Sequence, residues 1–110
     1  MAESEYCVAF TTTANTQEAT RIAEELVLQR LAACVNIVPS IRSIYRWKGG
    51  VQQDTESLLI IKTERARIAE LEKAIRKLHS YEVPELIVLD IESGLTDYLQ
   101  WIADSVKEPS

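Results

Sequence analysis

The only histidine of the chain, His79, is followed within a few residues by Tyr81, Glu82 and Glu85. One imidazole beside carboxylate oxygens is the donor set of a weak zinc, copper or nickel site rather than of a closed structural one. The imidazole must be neutral to ligate. The plainer reading of His79 is a histidine at a helix C-terminus, where a cation complements the dipole. A second candidate is the run Thr11-Thr12-Thr13, at a point where a strand gives way to a helix. Exposed N–H groups at a helix start take up anions, and Thr11 with Tyr81, Glu82 and Glu85 then reads as the wall of such a site. The alternative is a β-rich strand end followed by a cap. Tyr45, Trp47, Tyr98 and Trp101 read either as pocket lining or as packing between subunits.

No catalytic constellation is legible. The chain offers no Ser-His-Asp or Cys-His pattern that the fold would bring together. Its three glycines form no phosphate-binding loop. The expectation is a binding protein, not an enzyme.

Composition narrows the partners. A chain of 110 residues with 46% hydrophobic and 26% charged residues is expected to form a single domain, residues 1–110, with a core near 6–106. The net charge of −5 argues against nucleic acid or an anionic membrane, both of which select basic faces. It is compatible with a cation. Met1 to Tyr6 has neither a basic nor an apolar leader region, and no apolar run approaches a membrane span, so a cytoplasmic address is expected. Cys7 and Cys34 are too few for a disulfide scaffold, and Lys107 to Ser110 reads as a loose tail.

These residues must be positioned by strands and helices whose pattern is clear. Tyr6 to Thr13 is rich in strand formers. Asn15 with Glu18 three residues on resembles a capping box. Ala19, Ile22, Ala23, Leu26 and Leu31 follow at helical spacing. Residues 34–47 and 51–63 read as one hairpin turning at Lys48-Gly49-Gly50. At about 3.3 Å per residue each arm reaches about 45 Å. A compact chain of this size is about 35 Å across, so the tip should project, carrying Ile44, Tyr45 and Trp47. Alternation places Val35, Ile37, Pro39, Ile41, Tyr45 and Trp47 on one face. Pro39 cannot donate to a ladder and marks an edge strand or a bulge. Leu58 to Ile61 is a continuous apolar run, as in a central strand covered on both faces. Glu64 to His79 predicts a helix, Glu85 to Ile91 a strand, and Leu95 to Val106 a final helix.

The order β-α-β-β-α-β plus a terminal helix is the ferredoxin-like α+β arrangement, with a spatial strand order of 4-1-3-2. Helices cover one sheet face. The other face displays apolar residues and asks for a second copy of the chain.

Several separated motifs resemble the CutA proteins: Leu31-Ala-Ala-Cys-Val-Asn-Ile-Val-Pro39, Ser43-Ile-Tyr-Arg-Trp-Lys-Gly49, Lys62-Thr63, His79-Ser-Tyr-Glu-Val-Pro-Glu85 and Asp97-Tyr-Leu-Gln-Trp101. The resemblance implies a homotrimer of ferredoxin-like subunits, tolerance of divalent cations and, in some members, copper binding. It also implies an architecture like that of the PII signalling proteins. Some bacterial members carry a thiol at the position of Thr11 and a second histidine at that of Leu78, so of that cluster only His79 matches. The leading expectation is a trimeric protein of metal-ion response, binding copper or zinc weakly near His79 at clefts between subunits. Two other readings stand beside it: a PII-like sensor of a small anionic metabolite, and a trimeric scaffold without a ligand.

Overall fold

In the computed structural model, which describes residues 4–108, the chain runs β1 (Tyr6–Thr13), α1 (Thr16–Leu28), β2 (Cys34–Trp47), β3 (Gly50–Glu64), a short 3-10 turn (Arg65–Arg67), α2 (Ile68–Leu78), β4 (Ile87–Asp90) and α3 (Thr96–Val106). The ends of the expected domain, 1–3 and 109–110, lie outside the described residues. The antiparallel sheet has the order β2-β3-β1-β4, the order that the ferredoxin-like reading requires.

Alternation along the central strands separates two faces. Cys7, Ala9, Thr11 and Thr13 are fully buried, and they pair with Thr63, Ile61, Leu59 and Ser57, equally buried. This face meets α1 and α2, whose Ala19, Ile22, Leu26, Leu71 and Ile75 complete the main core. The other face carries Val8, Phe10, Leu58 and Ile60, each half-buried, with Val38, Ile87 and Leu89 exposed. The run Leu58 to Ile61 is therefore central in the sheet but covered on one face only within the chain. α3 forms a separate small core, Ile102 and Val106 against Ala33 beside Tyr6, Ile91 and Leu99.

The hairpin sets the longest dimension of the molecule, 46 Å against 30 and 22 Å. Its turn is tighter than expected. Lys48 and Gly49 alone form it, with φ of 50° and 79°, and Gly50 already pairs with Trp47. Two positive φ values are the mark of a two-residue type I′ turn, whose twist matches that of the strands.

At Pro39 the expected face assignment fails. Val38 pairs with Leu58 and Ile41 with Glu56, so one extra residue bulges on β2. The Ser57 hydroxyl donates to the Pro39 carbonyl at 3.0 Å within the bulge. The extra residue reverses alternation. Val35 and Ile37 stay on the helix-covered face, opposite Ile61 and Leu59. Ile41, Ser43 and Tyr45 move to the open face, opposite Glu56, Asp54 and Gln52.

Two other boundaries differ. The helix expected from Glu64 begins later, because Glu64 is still extended at the end of β3 and the next three residues form the 3-10 turn. The strand expected over 85–91 shortens to 87–90, the residues that pair with Phe10 to Cys7 of β1.

Candidate functional site

His79 ends α2 as its C-cap, with extended backbone and its N–H bonded to the Ile75 carbonyl at 2.9 Å. The turn from helix to extended chain swings the ring inward, where its side chain is completely buried. Nε2 lies 2.7 Å from the Thr12 carbonyl, and Nδ1 accepts the Tyr81 N–H at 3.0 Å. A carbonyl only accepts, so Nε2 bears the proton and Nδ1 is the acceptor of that tautomer. The Tyr81 ring leans on the imidazole with centroids 4.7 Å apart. The expectation of a metal ligand thus meets an imidazole whose two nitrogens are both engaged inside the chain. Among the described residues no three His, Cys, Asp or Glu side chains gather to hold a metal ion.

The helix start expected to receive an anion is filled by the chain's own carboxylate. Asn15 caps α1 by accepting the Glu18 N–H at 2.8 Å. Glu18 then accepts from the Ala14 N–H at 3.4 Å and from the Ser80 N–H at 2.7 Å. Burial alone would raise the Glu18 carboxyl. Bonds from the Ser80 hydroxyl and amide and from Ala14, with His79 nearby, outweigh it and hold the group below its ordinary range. Thr11, the residue expected at this site, faces the helices instead. Its hydroxyl is buried and has no hydrogen-bond partner among the described residues.

Thr12, one residue along and on the other face, lines an open cleft of about 620 Å³. Its walls are the outer part of the hairpin (Ser43, Ile44, Tyr45, Trp47, Asp54, Glu56) and the loop after α2 (Tyr81, Glu82, Val83, Glu85). Of the five expected site residues, Tyr81, Glu82 and Glu85 reach this cleft, while His79 and Thr11 sit behind it. The bulge at Pro39 is what turns Ser43 and Tyr45 toward it.

Sequence reasoning missed Asp54 and Glu56. Both read as ordinary polar residues in a hairpin arm, although their two-residue spacing places them on one face. Glu56 is 9% exposed and accepts the Tyr81 hydroxyl at 2.8 Å. Asp54 accepts the Tyr45 hydroxyl. Burial, the bond to Glu56 and the surrounding carboxylates push the Tyr81 phenol well above its ordinary range. The bond to Asp54 raises Tyr45 in the same direction. The lining contains four carboxylates and no Lys, Arg or His. An anionic ligand meets repulsion there, and a cation meets attraction. Tyr98 and Trp101 belong elsewhere, paired on α3 with ring centroids 5.4 Å apart.

The family described as CutA1 divalent ion tolerance protein matches residues 7–105. A CutA homolog of Xenopus laevis is 48% identical over 100 residues, covering 91% of this chain and 66% of that protein. The divalent-cation tolerance protein CutA of Thermus thermophilus is 44% identical over 98 residues, covering 89% of this chain and 95% of its own. The crystal structure of CutA1 from Oryza sativa is similar with a TM-score of 0.92 and 41% identity, over 97% of this chain and 98% of that one. The chain spans 66% of the Xenopus relative's length and 57% of that of a rice relative named chloroplastic. An Archaeoglobus fulgidus relative is named periplasmic, so the names point to no single compartment.

Proposed function

The chain belongs to the CutA1 divalent ion tolerance family, and from that premise we propose that it acts as a non-catalytic homotrimer that takes up cations weakly in the cleft beside its hairpin. The observation that carries this reading is the cleft's lining. Asp54, Glu56, Glu82 and Glu85 line the cleft without a basic side chain, in a chain of net charge −5. The oxygen-only set suits a hard or weakly held divalent ion better than copper, which prefers imidazole and thiolate. His79 supports the site from behind by holding Tyr81 in place.

Trimeric assembly is supported by the open sheet face. Ile87 and Leu89 remain 52% and 51% exposed beside Phe10 and Ile60. A second copy of the chain has the matching apolar surface to cover them. The non-catalytic reading is supported by His79, whose nitrogens are both committed to hydrogen bonds and are thus withheld from proton transfer.

Calorimetric titration with magnesium, zinc and copper chlorides, with light scattering on the same sample, tests the proposal. Weak saturable heat that falls in a Glu82→Gln, Glu85→Gln double variant and persists in Cys34→Ser supports it. Binding unaffected by the double variant, or a monodisperse monomer, contradicts it.

A further inference from the structure

We propose that His79 is a proton-operated latch: neutral, it holds the loop after α2 against the hairpin; protonated, it turns to Glu18 and releases that loop. The latch operates whatever the cleft binds.

Its closed form exists in one protonation state only. Nε2 keeps its proton toward the Thr12 carbonyl, which leaves Nδ1 as the acceptor of the Tyr81 N–H at 3.0 Å. An imidazolium has two donors and no acceptor. A proton on Nδ1 therefore sets N–H against N–H, and the Tyr81 bond is lost. His79 is the chain's one histidine, and histidine is the side chain that ordinarily changes charge between about pH 5 and 8.

The receiving group is already in place. Glu18 Oε2 stands 3.7 Å from Nδ1, outside hydrogen-bond reach while the ring is neutral. The imidazole is completely buried and Glu18 nearly so. A charge arriving on the ring has no water to hold it and needs that carboxylate. Glu18 is held below its ordinary range, so it is ionised wherever an imidazole titrates. The other charges around the ring are differently placed. Arg21 of α1 donates to the Leu78 carbonyl at 3.1 Å, and Arg76 and Lys77 of α2 are exposed. β1 offers the Thr12 carbonyl, and Glu56 of β3 is reached through the Tyr81 hydroxyl.

Tyr81 carries the change outward. Nδ1 holds its N–H and Glu56 holds its hydroxyl, at 3.0 and 2.8 Å. The Ser80 N–H sits at 2.7 Å on the same Glu18 oxygen that Nδ1–H would approach. One proton thus disturbs the acceptors of two successive amides at the start of the loop. Tyr81, Glu82, Val83 and Glu85 of that loop form one wall of the cleft.

NMR of the full chain, isotope-labelled at the tyrosine amides and the histidine ring, tests this from about pH 8 to about pH 5. The four tyrosines give four amide signals, and Tyr81→Phe identifies the one at position 81. As the His79 ring titrates, the Tyr81 amide should shift and lose about tenfold in protection from solvent exchange, the worth of one hydrogen bond. The Tyr6 and Tyr98 amides should keep theirs. His79→Asn puts an oxygen in reach of the N–H two residues on, as in an Asx turn, and cannot titrate. Tyr81 should then stay protected throughout. Glu18→Gln keeps an acceptor for the Ser80 N–H and removes the charge, so the midpoint of the Tyr81 change should fall by about one pH unit. Should His79→Asn not fold, Glu18→Gln decides. A ring that titrates while the Tyr81 amide stays unmoved overturns the proposal, as does a ring that stays neutral to the acid end. So does a Tyr81 change that persists in His79→Asn, or a midpoint that Glu18→Gln leaves in place.

Discussion

The Tyr81 hydroxyl donates to Glu56 at 2.8 Å and so ties the loop after α2 to the middle of the hairpin, 25 residues earlier in the chain. Tyr81→Phe deletes the donor and leaves a nine-tenths buried carboxylate without it. A loss of about 1–2 kcal/mol is expected, read as a lower urea midpoint. The alkaline limb should change too. The folded phenol titrates above its ordinary value of 10.0. Its contribution is therefore complete below about pH 10 and lost as the pH rises beyond it. Wild type should lose stability between pH 10 and 11, and Tyr81→Phe should lose less over that interval. Equal losses would contradict the assignment.

Glu18 has the opposite sign. Its folded carboxyl lies below the ordinary value of 4.5. The stability it contributes is present above about pH 4.5 and is lost as the pH falls through the lowered folded value. Glu18→Gln should cost about 2 kcal/mol at neutral pH and flatten the acid limb. Urea unfolding at pH 7 and at pH 3 measures both, and an unchanged acid limb would show that another carboxylate controls it.

Thr11→Val should stabilise the protein. The hydroxyl is buried with no partner among the described residues, and replacing it by a methyl removes a desolvation cost of about 1 kcal/mol. Calorimetry should show a rise in Tm of about 4–8 °C for a domain of this size. A fall would mean that Thr11 has a partner in the assembled protein.

Leu89→Arg places a charge on the open sheet face, beside Val8. If that face joins subunits, the buried unpaired charge should shift the trimer to monomer at micromolar concentration. Light scattering checks it, and an intact trimer would move the interface elsewhere.

The fold was legible because its signals were local. Strand formers in Tyr6–Thr13, the Asn15 cap and the apolar stripe of α2 each belong to one element. The site was less so. The effect of Pro39 was only half legible: a bulge was signalled, but its position decides which face Ile41 and Tyr45 take, and that depends on pairing with β3. Thr11 and Thr12 differ by one residue and hence by one sheet face. Glu56 and Asp54 matter only because Tyr81 and Tyr45 reach them from other segments. The imidazole of His79 looked available in sequence because its partners, the Thr12 carbonyl and the Tyr81 N–H, are backbone groups that carry no sequence signal.

Fluorescence of Trp47 tests the central claim most directly. With Trp101→Phe, Trp47 is the only indole in the chain, and it lines the cleft. The account predicts a saturable change in its emission on adding a cation, lost in Glu56→Gln and absent with pyrophosphate at the same ionic strength. Emission unmoved by any cation, or saturated by the anion, would contradict a cation site in the cleft.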